Sequence, residues 1–120
     1  MGLFTRAKAQ KPPPPSVLDG LIYNSETAHK YSITDNEAAF FSAFEALLKS
    51  RGKSPAALQI SRMADGALDV RSRRAYLGKV KLQGRKTWMQ YMANLYDAEV
   101  VEDKTLEEYT ALLKHWLKAV

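Results

Sequence analysis

The chain reads as an α+β fold, an antiparallel β-meander of three to four strands packed against two or three amphipathic helices. Three observations predict it. Thr34–Glu37 and Thr105–Glu108 each have the spacing of a capping box, and each opens a run of apolar residues at helical steps. Between them, residues 57–92 alternate short apolar runs with turn-forming dipeptides. The chain has 120 residues and no cysteine. That is long enough to bury one core without disulfides or a structural metal.

Residues 1–15 read as a disordered basic leader. Arg6, Lys8 and Lys11 are followed by Pro12–Pro15, a stiff polyproline II spacer without backbone donors. Residues 16–120 are expected to form a single domain. The stretch Ser16–Tyr23 fits a short helix capped by Ser16 and strained at Gly20. It equally fits an extended arm laying Leu18, Leu21 and Ile22 on the core, and the short helix is preferred.

A helix is predicted over 35–51. Thr34 is its N-cap, Phe40, Phe41, Phe44, Leu47 and Leu48 share one face, and Gly52 sits where a left-handed C-cap belongs. Strands are predicted near 57–63, 67–72, 75–82 and 86–92. The turns between them are a two-residue hairpin at Asp65-Gly66, then Ser72-Arg73-Arg74, then Gln83–Lys86. Asn94–Lys104 reads as an acidic connector. A single helix follows Thr105, with Tyr109, Leu112, Leu113, Trp116, Leu117 and Val120 on one face and Lys114, His115 and Lys118 near its C-terminus, where the dipole favours them.

If Gly84-Arg85 is a two-residue turn, Lys81 faces Trp88, Val80 faces Met89, Lys79 faces Gln90, Gly78 faces Tyr91 and Leu77 faces Met92. Alternation then puts Leu82, Val80, Met89, Tyr91, Gly78 and Tyr76 on the core side, with Tyr91 covering Gly78. The other side holds Lys81, Trp88, Lys79, Gln90, Leu77 and Met92. A one-residue slip would bury the lysines. A helix over 86–96 is the competing reading, because Trp88, Met92, Leu95 and Tyr96 also recur at helical steps.

Charge is unevenly spread. Residues 49–90 carry eleven cations, Arg62 among them, against Asp65 and Asp69, a net +9 in a chain of net +5. The flanking helical segments are acidic. Such a segment suits a polyanion.

Several function classes find no support. The two histidines, His29 and His115, stand alone, and no cluster has metal-ligand spacing. No glycine-rich loop opens a helix to cradle phosphate, and Asp65 with Asp69 offers too few converging carboxylates for a metal nuclease. No cofactor, small-molecule substrate or catalytic residue is therefore expected. No apolar run is long enough to cross a bilayer, no signal-peptide h-region is present, and Arg6 stands where a myristoylation motif wants Ser or Thr. A membrane role is not expected, and the lack of cysteine fits a cytoplasmic setting.

Two functional expectations remain. In the first, the domain is a non-catalytic module that binds nucleic acid. Lys79 and Lys81 meet phosphates, Trp88 stacks, and Arg73, Arg74, Arg85 and Lys86 extend the footprint. A meander followed by a helix is similar in topology to the small sheet-type DNA readers attached to site-specific recombinases, without a shared sequence motif. In the second, the domain is a protein-interaction or scaffolding module, a homo-oligomer or one subunit of a larger complex. Trp88, Leu77 and Met92 then form an apolar anchor with a basic rim.

Overall fold

The computed structural model describes residues 16–73 and 75–120. The leader and Arg74 lie outside the described residues. The fold is α+β, a six-stranded, mostly antiparallel sheet with helices.

The chain enters through a 3-10 turn at Val17–Gly20, strand β1 (Ile22–Tyr23) and a second 3-10 turn at Thr27–Lys30. Ser16 closes a capping box with Asp19, as a helix start would. The turn ends at Gly20 and the chain extends, so the segment is a hybrid of the two readings, not a helix to Tyr23. Helix α1 (Asp35–Ser50) follows, with the reciprocal Thr34–Glu37 capping box. Gly52 beyond its end has φ +70°, the left-handed conformation that glycine adopts without strain.

After a 3-10 turn at Pro55–Ala57 come β2 (Gln59–Arg62), β3 (Leu68–Arg71), β4 (Tyr76–Lys81), β5 (Trp88–Met92) and β6 (Ala98–Glu102). The spatial order is the sequence order, with β1 parallel to β2 and every other pair antiparallel. Two strands exceed the expected meander. Ala98–Glu102 pairs with β5 and is not a connector. It follows a tight turn in which Asn94 Oδ1 accepts from the Tyr96 and Asp97 amides. Trp88–Met92 is a strand, so the helical reading of 86–96 fails.

The β4–β5 register has the expected partners Lys81↔Trp88, Val80↔Met89, Lys79↔Gln90 and Gly78↔Tyr91. Asp65-Gly66 is a turn but not a two-residue one. The Met63 amide donates to the Ala67 carbonyl at 2.8 Å, leaving three residues in the loop with Gly66 at φ +93°. This is the three-residue hairpin whose last position forms a glycine bulge.

The registers line up rows across the sheet. Arg62, Leu68, Val80, Met89 and Val101 form one row of the inner face, and Ile60, Val70, Gly78, Tyr91 and Glu99 the next. Against these rows α1 brings Phe40, Phe41, Phe44 and Leu48, and the C-terminal helices bring Tyr109, Leu113, Trp116 and Leu117. The Trp116 ring lies edge-on to Phe40 and Phe44, each with centroids 5.6 Å away.

The C-terminal helix is two pieces, α2 (Leu106–Ala111) and α3 (Leu113–Leu117), meeting at Leu112. Thr110 Oγ1 donates back to the Leu106 carbonyl and the Leu112 amide bonds to Tyr109, a tightened turn that breaks the regular ladder. The bend still leaves Trp116 over the sheet, where Nε1 donates to the Gln90 carbonyl at 3.0 Å.

Gly78 makes room for that bond. A Cβ there would collide with the Gln90 carbonyl oxygen and lie 2.8 Å from Trp116 Nε1. Trp116, not Tyr91, therefore covers Gly78, while the Tyr91 ring stacks on His115 with centroids 4.0 Å apart. One face assignment is corrected at the neighbouring residues. The β3–β4 register shifts between Val70↔Gly78 and Arg71↔Tyr76, so Leu77 is an extra residue on β4. The bulge turns Leu77 into the core and puts Tyr76 on the outer side beside Asp69 and Arg71.

Candidate nucleic-acid interface on the open sheet face

The outer face follows from the same registers. One row runs Ser61, Asp69, Lys79, Gln90, Val100, and the next runs Lys81, Trp88, Glu102. Lys79, Lys81, Trp88 and Gln90 are half-buried, as side chains adjacent on one sheet face cover part of each other's stems.

Alternation along β4 and β5 therefore gathers Lys79, Lys81 and Trp88 on one face. Lys79 and Trp88 border a hollow of about 370 Å³ lined by Met63, Ala64, Asp65, Ala67, Lys79, Trp88 and Gln90, while Lys81, opposite Trp88, lies outside that lining. The β2–β3 turn supplies one wall. That turn is fixed by the Ala67 amide bond to Asp65 Oδ1 at 3.1 Å and by Gly66, whose added Cβ would lie 2.8 Å from the Tyr31 ring. The sequence reading put Gln90 on this face but gave it no role, and gave the turn none at all. The signal for Gln90 was its place opposite Lys79.

The remaining predicted residues are dispersed. Arg85 and Lys86 are exposed in the β4–β5 turn, at the end of the sheet that carries the hollow. Lys86 Nζ lies 3.5 Å from Glu102 Oε1, an exposed pair of small energetic weight. Arg73 is exposed in the β3–β4 turn at the opposite end, about 20 Å away at about 3.3 Å of strand rise per residue. Arg74 lies outside the described residues.

The charge on this face is lower than the sequence total. Arg62 belongs to the inner face, where it and Glu37 are fully buried as a bidentate pair with contacts of 2.6 and 3.0 Å. Arg62 also donates to the Gly66 and Ser32 carbonyls, and Gln83 Nε2 donates to both Glu37 oxygens. The parity it shares with buried Ile60 was the available signal for this. Arg71 Nε donates to Asp69 Oδ2 at 3.2 Å, which compensates a second cation. Beside them, burial and then the Asp69 charge push the Tyr76 phenol up to about 12.

The outer face is thus a moderate basic patch, with Lys79 and Lys81 flanking an aromatic ring and no ion pair to either among the described residues. A face of this kind can meet phosphate oxygens with its ammonium groups and a flat apolar group with its indole. It carries no group of His, Cys, Asp and Glu residues able to hold a metal ion among the described residues. No helix among them is long and apolar enough to cross a membrane. Comparison with protein-family models, with curated proteins and with solved structures finds no match to this chain.

Proposed function

We propose that this domain is a non-catalytic binding module that takes nucleic acid on the outer face of its sheet. The observation carrying this reading is that Lys79, Lys81 and Trp88 share the sheet face opposite the helices, with Lys79 and Trp88 lining one hollow there and Lys81 paired opposite Trp88. Lys79 and Lys81 meet backbone phosphates, Arg85 and Lys86 extend the contact past the β4–β5 turn, and Trp88 supplies the stacking surface. Because Arg62 and Arg71 are engaged internally, the affinity is expected to be modest, and it should fall with salt in proportion to the few phosphate contacts that remain. The test is fluorescence anisotropy of short random DNA and RNA, single- and double-stranded, at two salt concentrations. Salt-sensitive binding supports the reading, and no binding at low salt overturns it.

A protein-interaction module is the second reading, favoured by one observation. The β5–β6 hairpin exposes Leu95 and Tyr96 at 86% and 89%, and edge strand β6 exposes Val100 at 56%. Apolar and aromatic side chains at a hairpin tip suit contact with another protein or a second copy. A solution mass above the monomer that survives nuclease treatment would favour it.

A further inference from the structure

We infer that the hollow beside Trp88 is a pocket for one unpaired nucleobase, so that the domain selects single strands over duplex; this inference rests on the nucleic-acid reading. Four features of the site lead to it.

The first is shape. A volume of about 370 Å³ lies near the lower end of the range for small-ligand pockets, about 300–1,000 Å³. It has room for one planar ring system. Its walls are the Trp88 indole on β5 and the Met63–Ala67 turn, which stands at the end of the β2–β3 hairpin. A base entering there has an aromatic surface and the apolar side chains of Met63, Ala64 and Ala67 around it.

The second is charge. Asp65 lines the same hollow as Lys79. A carboxylate at the rim repels a phosphate, so the group that enters is neutral and the phosphates run past it toward Lys79 and Lys81. Asp65 also accepts hydrogen bonds from the exocyclic amine of a base.

The third is the unused polar group. The Gln90 side-chain amide is half-buried, lines the hollow and has no hydrogen-bond partner among the described residues; its backbone carbonyl alone is taken, by Trp116. An amide offers a donor and an acceptor side by side, the pattern that reads a base edge.

The fourth is rigidity. Gln90 and Trp88 sit on a strand paired on both sides, and the Trp116 bond pins the backbone under Gln90. A preorganised site loses less side-chain freedom on binding.

A duplex keeps its bases stacked and paired, so it can offer this face base edges and phosphates but no free ring face for the indole. A single strand offers all three.

The test uses the full chain and three labelled probes of equal length: a mixed-sequence single strand, the same strand in a duplex, and an abasic strand with the same phosphates and no bases. Affinity is followed by anisotropy and stacking by tryptophan fluorescence. Trp116 is fully buried, so quenching by a ligand reports Trp88. The base-bearing strand is expected to quench and to bind about tenfold or more tighter than the abasic strand, given the energy of one stacked base. Trp88→Ala, checked for fold by thermal melting, should erase that difference and leave abasic binding unchanged. Gln90→Ala should cost the base-bearing strand several-fold and the abasic strand nothing. Equal affinity for abasic and base-bearing strands, with salt-sensitive binding to both, overturns the base pocket while the nucleic-acid reading stands. No binding of any probe at low salt overturns both.

Discussion

The buried Glu37–Arg62 pair is the feature most open to a quantitative test, and Arg62→Met is the change to make. Methionine keeps the apolar stem and removes the guanidinium. Four hydrogen bonds go with it, two to Glu37 at 2.6 and 3.0 Å and one each to the Gly66 and Ser32 carbonyls. Glu37 is left with the Thr34 amide and Gln83 as donors, at no exposure to water. Stranding a buried charge costs about 3–5 kcal/mol, against about 5–15 kcal/mol for a whole domain. With a urea dependence of about 2 kcal/mol per molar, the unfolding midpoint should fall by about 2 M. The double variant Arg62→Met/Glu37→Gln strands no charge, and the carbonyl of the new side-chain amide can still accept from the Thr34 amide. It should recover to within about 2 kcal/mol of the parent. Urea titration followed by circular dichroism reads all four corners of the cycle. A loss under about 1 kcal/mol for Arg62→Met, or a double variant as unstable as the two singles combined, would refute the buried pair.

Three more outcomes follow from the packing. Gly78→Ala should destabilise by at least about 3 kcal/mol, from collision with the Gln90 carbonyl and a φ of +151°, and should move Trp116 fluorescence; an unchanged melt would count against the close approach. Val80→Asp should unfold the chain while Lys81→Asp leaves it folded, because Val80 is fully buried and Lys81 is on the outer face; equal tolerance would count against the two faces. The His115 imidazole is held below its ordinary 6.5, first by burial against the sheet and then by Lys114 and Lys118. Its neutral form is the one that stacks on Tyr91, so its share of stability is present above pH 6.5 and falls as pH drops below that. His115→Phe should flatten this part of the pH profile, read as the urea midpoint between about pH 7.5 and 5.5. A wild-type midpoint that does not change over that window would contradict the assignment.

What the sequence made legible was what short-range chemistry decides. Thr34 with Glu37, and Thr105 with Glu108, announce helix starts because each box is complete within four residues. Lys81 against Trp88 was readable because a glycine turn and strict alternation leave one register that keeps the lysines out of the core. Strand β6 was not readable. Ala98–Glu102 is acidic and largely exposed, and pairing with β5 holds it in place more than any preference of its own. The bulge at Leu77 and the close approach of Trp116 to Gly78 were not readable, because no local pattern announces either. Glu37 and Arg62 are 25 residues apart, and each had a sufficient local explanation, one as a capping residue and the other as part of a basic run. For the candidate site, alternation placed Lys79, Lys81, Trp88 and Gln90 on one face. The wall from Met63–Ala67 needed the third dimension, and the turn position of Arg73 did not bring it to the hollow.

The most direct test of the central claim is the salt dependence of single-strand binding in the parent and in Lys79→Ala/Lys81→Ala. Each phosphate contact contributes about 0.7 to the slope of log K against log salt on a single strand. Removing two should weaken binding and lower that slope by about 1.4, with the melting curve unchanged. An unchanged slope and affinity in a folded double variant would contradict the account, as would a parent protein that binds no nucleic acid at low salt.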